Sequence, residues 1–349
     1  MEDCGAIYRE DDLPKDVYKI YADNGCNLVR FRLWHTPDFQ DSIIQPNGVK
    51  SRYHDYKDVA KAIMRTKNEG MSVLLDIHYS DIWADPGRQA IPTAWKDVAN
   101  DEFLLADSIY QYTYNTLRKL ADSGLLPEMV QVGNEINDGF LKHESVNKDF
   151  SGGNVLSTSW TRHINLLNSG IRAIRKIEEE TGENIQVVIH YAGFAWSFEF
   201  YTQLFEQGIE PFDIMGLSYY YAWHKGSINE LGNAVARLKN TYRSYDVMVV
   251  ETGYPWDLEN IDGLHNIISE TDPSYSPASP LAQLRYLQDL SLIVKEKGGI
   301  GVVFWESAWV STPCNTPWGQ GSSLEHVALF DHRNNLNFMK NGGGGWMKW

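Results

Sequence analysis

Two short stretches hold the residues best suited to chemistry. Met129-Val130-Gln131-Val132 runs into Gly133-Asn134-Glu135, and Val247-Met248-Val249-Val250 runs into Glu251. Each is an apolar run of strand length that stops on a glutamate, a place where solvent exposure does not ordinarily put a carboxylate. Two carboxylates aimed at one cleft from two strand ends suit acid/base or nucleophilic work on an acetal. Cleavage with retention requires carboxyls roughly 5 Å apart, one protonated to assist departure and one ionised to attack the anomeric carbon. The ionised member needs a cation to keep its pKa low. Arg30 or Arg32, on one face of an earlier strand, can supply it, and Arg32 is preferred because it lies nearer the strand's end. Asn134 is placed to hold a ring hydroxyl beside the reacting carbon.

The elements that must position these groups repeat along the chain. An amphipathic helix ends at a glycine able to adopt a left-handed conformation, and a short apolar strand follows. Gly25, Gly70, Gly124, Gly182, Gly208 and Gly298 punctuate six of the repeats. Strands are expected within 27–32, 72–78, 129–135, 186–190, 212–219, 247–251 and 300–306, the sixth reached without a glycine stop. Strands alternating with helices mean a parallel sheet, and this number of them points to a (β/α)8 barrel rather than an open doubly wound sheet. No glycine-rich dinucleotide or phosphate loop supports the open form. The barrel is one strand short, because residues 1–8 carry no apolar run; its first strand is missing before residue 1 or not recognisable there. No Ser/Pro/Gly-rich linker interrupts residues 1–349, so one domain is expected.

Barrel sites lie at the C-terminal ends of the strands. The residues there are Arg32, His78, Glu135, His190, Tyr219, Glu251 and Trp305, a charged, titratable and aromatic set. His78 and His190 taken alone read as satisfied core histidines. A metal-dependent hydrolase would need more His and Asp ligands than these strand ends provide. A sugar-binding barrel without catalysis would have no need of both glutamates.

Composition narrows the partners. A formal charge of -15 lacks the basic stripe that phosphate backbones demand, which argues against nucleic acid. No run of about 18 apolar residues exists to span a membrane, and Met1-Glu2-Asp3-Cys4-Gly5 is not a signal peptide. Cys4, Cys26 and Cys314 show neither metal spacing nor a disulfide framework and read as buried or idle thiols. Aromatic residues make up 13% of the chain, with 12 Trp and 19 Tyr, a surplus that suits a groove stacking on flat apolar ligand faces. The Gly342-Gly343-Gly344-Gly345 tail reads as flexible.

Four motifs carry a resemblance. Gly133-Asn134-Glu135-Ile136, Val250-Glu251-Thr252-Gly253-Tyr254-Pro255, the block from Leu75-Asp76-Ile77-His78-Tyr79-Ser80-Asp81 through Ile82-Trp83-Ala84-Asp85-Pro86-Gly87, and Phe304-Trp305-Glu306-Ser307-Ala308-Trp309 resemble the endo-β-1,4-galactanases of glycoside hydrolase family 53, in clan A. The long His-Tyr-Ser-Asp block is the specific part. The resemblance spans roughly residues 1 to 335. It implies a TIM barrel that cleaves β-1,4-galactan internally with retention, Glu135 as acid/base and Glu251 as nucleophile. It also implies a first strand just ahead of Met1. Within it His78 lines the cleft, Trp305 is a sugar platform and Trp318 resembles a distal subsite tryptophan; Arg32, Asn134 and Tyr219, read from their places at the strand ends, complete the expected substrate contacts. Asn260-Ile261-Asp262-Gly263-Leu264-His265-Asn266 on its own is a turn more often than a calcium loop. The resemblance implies calcium there, held by the side chains of Asn260, Asp262, Asn266 and Glu325 and the Leu264 and Ser322 carbonyls. The resulting expectation is a secreted, cell-surface or periplasmic monomer without organic cofactor that degrades galactan side chains of pectin. Another clan A endo-glycanase, a mannanase, xylanase or cellulase, is the alternative.

Overall fold

The computed structural model describes residues 1–48, 50, 52–137, 139–142 and 160–348. Seven parallel strands follow one another around a barrel in chain order: β1 (Leu28–Leu33), β2 (Ser72–Ile77), β3 (Met129–Val132), β4 (Gln186–Tyr191), β5 (Ile214–Tyr219), β6 (Asp246–Thr252) and β7 (Val302–Phe304). Helix α1 (Val17–Asp23) leads into β1, and α2 (Tyr56–Asn68), α3 (Glu102–Asp122), α4 (Trp160–Thr181) and α5 (Ser197–Glu206) alternate with the strands that follow. The short α6 (Tyr221–His224) and α7 (Ile228–Thr241) precede β6, and α8 (Pro280–Glu296) precedes β7. Helix starts follow from local chemistry. Asp16, Asp55 and Asp101 accept hydrogen bonds from the first free N–H groups of α1, α2 and α3, and Ser227 forms a capping box with Glu230 on α7.

The alternating faces of the strands make two compartments. One face packs Val73, Leu75, Val130, Val187, Met215, Val247 and Val249 against the helices. The other gathers Leu28, Leu74, Met129, Val188, Ile214, Met248, Val250 and Val303 inside the barrel. Two residues beyond these apolar ones, Arg30, Asp76, Gln131 and His190 continue the inner face toward the C-terminal end. A polar layer thus rests on an apolar floor.

The barrel does not close in hydrogen bonds. Among the described residues β1 pairs only with β2 and β7 only with β6, and the edges they leave border a cavity of about 960 Å³. The expected shortage of one strand therefore stands. Residues near the start take another role: Arg9–Glu10 and Leu13–Pro14 join Phe330–Asp331 and Asn337–Phe338 in a small separate sheet. That sheet packs beside a second apolar cluster of Tyr8, Val17, Ile20, Tyr21, Phe330 and Phe338.

Two readings of the chain's ends are corrected. Cys4 and Cys314 are not idle thiols but form a disulfide, with Cα atoms 5.4 Å apart, and only Cys26 stays free among the cysteines. Their separation of 310 residues hid the pair from any spacing rule. The glycine tail is packed rather than flexible. Gly344 lies so near Phe338 that a Cβ there would sit 2.6 Å from the ring, and Trp346 Nε1 donates to Ser291 Oγ at 2.6 Å.

Candidate active site

A break in strand register aims the first glutamate. Leu217 pairs with Val249 but Ser218 pairs with Glu251, so Val250 is an extra residue and β6 bulges there. Without the bulge, strand parity would turn Glu251 toward the helices; with it, Val250 and Glu251 both face the barrel interior. The second glutamate is aimed by the chain after β3. Gly133 has φ 78° and Glu135 itself φ 48°, a left-handed conformation that costs a non-glycine residue on the order of 1 kcal/mol or more and concentrates at functional sites. A Cβ on Gly133 would also lie 2.9 Å from Ile136 and Phe140, so both the turn and the packing need glycine.

These two devices bring a Glu135 oxygen, a Glu251 oxygen and a His190 nitrogen within 4.8 Å of one another. The carboxylates live in opposite surroundings. Glu251 accepts Arg30 Nη1 at 2.8 Å and the Tyr220 hydroxyl at 2.8 Å, one donor on each oxygen. Arg30 is almost fully buried and also donates to Asp76 Oδ2 at 2.8 Å and Asn134 Oδ1 at 2.7 Å. Such a charge is tolerated inside a barrel only because its partners surround it. Glu135 has no cation in contact among the described residues and meets Ser218 Oγ at 2.6 Å. Burial, with the charge of Glu251 adding to it, pushes the Glu135 carboxyl well above its ordinary range. The arrangement suits one carboxyl to giving a proton and the other to attack.

A metal in this trio would compete with protein donors already in place. Glu251 has Arg30 and Tyr220, while His190 uses Nδ1 toward Asn134 at 2.9 Å and Nε2 toward Ser218 at 2.8 Å.

Other expected residues divide into those brought here and those placed elsewhere. Asn134 is in the cleft, its amide held by Arg30 and by the Ala84 carbonyl at 2.8 Å. His78 stands at the cleft floor with both ring nitrogens used, Nε2 on Asp76 at 3.0 Å and Nδ1 accepting from Ala84 N–H at 3.0 Å. Arg32 is not the cation beside Glu251; Arg30 is. Arg32 pairs with Glu306 and lies 3.9 Å from the centre of the Trp83 ring. Tyr219 is likewise displaced. Its ring packs against Phe194 and Tyr286 on the helix side and its hydroxyl donates to the Gly226 carbonyl, leaving the next residue, Tyr220, to hold Glu251.

Trp305 is half-buried and stands edge-on to Trp83 at 5.8 Å and to Tyr220 at 6.0 Å. Trp318, 49% exposed, extends the same aromatic arc 6.5 Å from Trp83. Sequence reasoning missed Tyr220, Ser218, Gln131 and Asp76. Asp76 had a signal, an acidic residue inside the otherwise apolar run 73–77; Ser218 and Tyr220 had one in the alternation that puts them on the same face as Ile214.

The calcium candidates sit where the loop after β6 meets the loop after β7. Asp262 accepts from Leu264 N–H at 2.8 Å, Ser311 Oγ at 2.7 Å and Ser322 N–H at 2.7 Å, so Ser322 presents its amide, not its carbonyl, to this carboxylate. Asn266 Oδ1 and Glu325 Oε2 are buried acceptors with no hydrogen-bond donor among the described residues. Asn260 donates to the Asp262 carbonyl at 3.0 Å.

A parallel barrel whose strand ends present two glutamates at this spacing, in opposite electrostatic states, defines a two-carboxylate glycoside hydrolase. Comparison with known proteins makes the class specific: the chain belongs to glycosyl hydrolase family 53, whose model matches residues 1–339. It is similar to the arabinogalactan endo-β-1,4-galactanase of Cellvibrio japonicus, 44% identical over 95% of this chain and 83% of that one. The endo-β-1,4-galactanase of Bacillus subtilis is 32% identical over 95% of this chain and 75% of that protein. Among solved structures, the Ignisphaera aggregans family 53 catalytic domain superposes with a TM-score of 0.83 and 29% identity, covering 100% of this chain and 92% of that one.

Proposed function

We propose that this protein is an endo-β-1,4-galactanase working by double displacement with retention. The observation that carries the reading is the Glu135–Glu251 pair: oxygens within 4.8 Å, one glutamate ion-paired to Arg30 and the other held as an acid. Glu251 attacks the anomeric carbon while Glu135 gives its proton to the departing glycosidic oxygen, and the C–O bond breaks as the glycosyl ester forms. Glu135 then takes a proton from water, whose oxygen attacks the same carbon and releases Glu251. The spacing leaves no room for the intervening water of an inverting enzyme.

The substrate class rests on the relatives, which are named as galactanases and arabinogalactanases. The arc of Trp83, Trp305 and Trp318 suits a polymer of flat sugar faces, while His78 and Asn134 spend their polar atoms on protein partners beneath the cleft. Galactan side chains of pectin are the proposed natural substrate. The enzyme acts as a secreted or cell-surface monomer with one catalytic domain; the Cys4–Cys314 disulfide suits an oxidising compartment. No helix of the described residues is long and apolar enough to cross a membrane.

A calcium ion is the proposed structural cofactor. Asp262, Asn266 and Glu325 would hold it, since two of them present buried oxygens with no donor and hard cations take oxygen ligands. Burial and the nearby Asp262 lift the Glu325 carboxyl to about 7, a strain a cation would relieve. Its part would be to clip the two loops together. Elemental analysis of purified protein and the melting temperature before and after chelation test this; absence of calcium with an unchanged melting temperature refutes it.

The function is tested by product analysis on linear β-1,4-galactan beside mannan, xylan and carboxymethylcellulose. Short galacto-oligosaccharides, appearing first as the β-anomer, are expected from the unmodified protein. Glu135→Gln should lose about 10²–10⁴ of the rate, the range for general acid/base groups, and Glu251→Gln should fall to background. Cleavage of another glycan alone would overturn the substrate, and α-anomeric product would overturn retention.

A further inference from the structure

We propose that Ser218 and His190 are positioning residues that hold Glu135 in its acid form through a hydrogen-bond chain of fixed direction, running from Glu135 through Ser218 and His190 to Asn134. The proposal rests on the catalytic reading above for its meaning, but its geometry is independent of any substrate.

The direction is set at Asn134. Its Oδ1 accepts from Arg30 Nη2 at 2.7 Å and its Nδ2 donates to the Ala84 carbonyl at 2.8 Å, so the amide cannot turn over without losing both bonds. The atom that His190 Nδ1 meets at 2.9 Å is therefore an oxygen that only accepts. Nδ1 must carry the hydrogen. Burial and the charge of Arg30 keep His190 neutral, so it has one N–H, and Nε2 is a bare acceptor. Ser218 Oγ, 2.8 Å from Nε2, spends its single hydrogen there. The remaining contact, Ser218 Oγ to Glu135 Oε1 at 2.6 Å, then has only one possible donor, the protonated Glu135 carboxyl.

Two competing donors face Nδ1 at longer range, Gln131 Nε2 at 3.2 Å and the Glu135 N–H at 3.4 Å. Gln131 already places its two hydrogens on Asp76 Oδ1 at 2.7 Å and the Gly133 carbonyl at 2.9 Å. The opposite tautomer would set a bare Nδ1 against the Asn134 oxygen, two acceptors in contact. An ionised Glu135 can recruit the Ser218 hydroxyl only by taking it from His190, so ionisation breaks a link and reprotonation by water restores it. The charged and titratable groups around Glu135 are Glu251 on β6, Arg30 on β1, Asp85 in the loop after β2, and Tyr220 beyond β5. Arg30 favours the ionised form and both carboxylates oppose it, so the chain acts on top of a field it does not create.

The sign of one shift tests this. If Ser218 accepts from the Glu135 proton, Ser218→Ala removes support for the acid and moves the basic limb of kcat/KM against pH downward, by about half to one pH unit for one hydrogen bond. Ser218→Thr, which keeps the hydroxyl, should restore it. A basic limb that rises or stays fixed in Ser218→Ala would overturn the proposal, since a serine donating to the carboxylate predicts the rise. A ¹⁵N spectrum of the histidines, with His190 assigned by its loss in His190→Gln, is the second readout and needs no turnover. An Nδ1–H tautomer supports the chain and an Nε2–H tautomer refutes it. Lack of hydrolysis on every glycan would instead fail the functional reading, leaving the tautomer to decide the chain.

Discussion

Glu251 takes a hydrogen bond on each oxygen, and the two donors differ in what their loss would do. Arg30 is shared with Asp76 and Asn134, so removing it would strand buried carboxylates and cost folding before it told anything about catalysis. Tyr220 donates to Glu251 alone among the described residues. Tyr220→Phe keeps the ring against Trp223 and Trp305 while deleting one bond to a charged acceptor, worth about 1.5–3 kcal/mol. A fall in kcat/KM of roughly 10- to 100-fold with an unchanged melting temperature is the expected outcome, read by steady-state kinetics. Rates equal to the unmodified protein would reduce the hydroxyl to packing. The glutamates themselves were legible because an apolar strand ending in Glu is an anomaly. Choosing between Arg30 and Arg32 was not legible, because both share the inner face and only depth distinguishes them. Tyr219 and Tyr220 differ by one position, and plain alternation along β5 decides between them: Ile214 and Ser218 face the interior and so does Tyr220, while Met215, Leu217 and Tyr219 face the helices.

At the scale of elements, devices outside the cleft support it. Helix α4 packs His163 among Phe140, Trp160 and Phe200, and neither ring nitrogen has a hydrogen-bond partner among the described residues. Burial, then the neighbouring Arg162, lowers its pKa to about 3, against an ordinary 6.5. The unfolded chain binds the proton more readily, so stability is fully present above pH 6.5 and falls as pH drops from there toward 3. At one unit per 1.36 kcal/mol the loss approaches about 4 kcal/mol. His163→Phe should flatten that acid limb in melting temperatures taken from pH 7 to 4; an unaltered limb would show that His163 does not govern it. The Cys4–Cys314 disulfide ties the first residues to the loop that carries Trp318. Removing a link of this kind typically costs 2–5 kcal/mol. Cys4→Ser, or reduction of the intact protein, should therefore lower the melting temperature by several degrees in calorimetry. The helix–glycine–strand repeat was readable because each glycine ends a helix in a left-handed turn. The disulfide was not, since nothing in two distant cysteines reports that their segments meet.

Among the described residues the sheet is a ring with a gap, and that gap makes its two sides unequal. Strands β4 and β5 have partners on both sides, whereas β1 and β7 leave one edge each to the cavity between them. The order of strands and their parallel direction followed from the alternation of elements, and the shortage of one strand followed from the polar opening residues. What fills the seam is a question of long-range pairing, which periodicity along the chain does not encode. Backbone groups facing the gap lack sheet partners, and amides near such edges open at lower free energy than those in the centre of a sheet. Native-state hydrogen exchange of residues 1–349 should therefore be graded around the ring. Val187, Val188 and Ile189 on β4, and Met215 and Leu217 on β5, are expected to exchange slowest, and the amides of Leu28–Leu33 and Val302–Phe304 markedly faster. Arg30 lies on one of these edge strands, so the cation that steadies Glu251 is anchored to the least supported part of the barrel. Equal protection around the ring would show that the β1 and β7 edges are satisfied in solution. The graded pattern would mean that Arg30 is held by its carboxylate partners, Asp76 and Glu251, more than by the sheet beneath it.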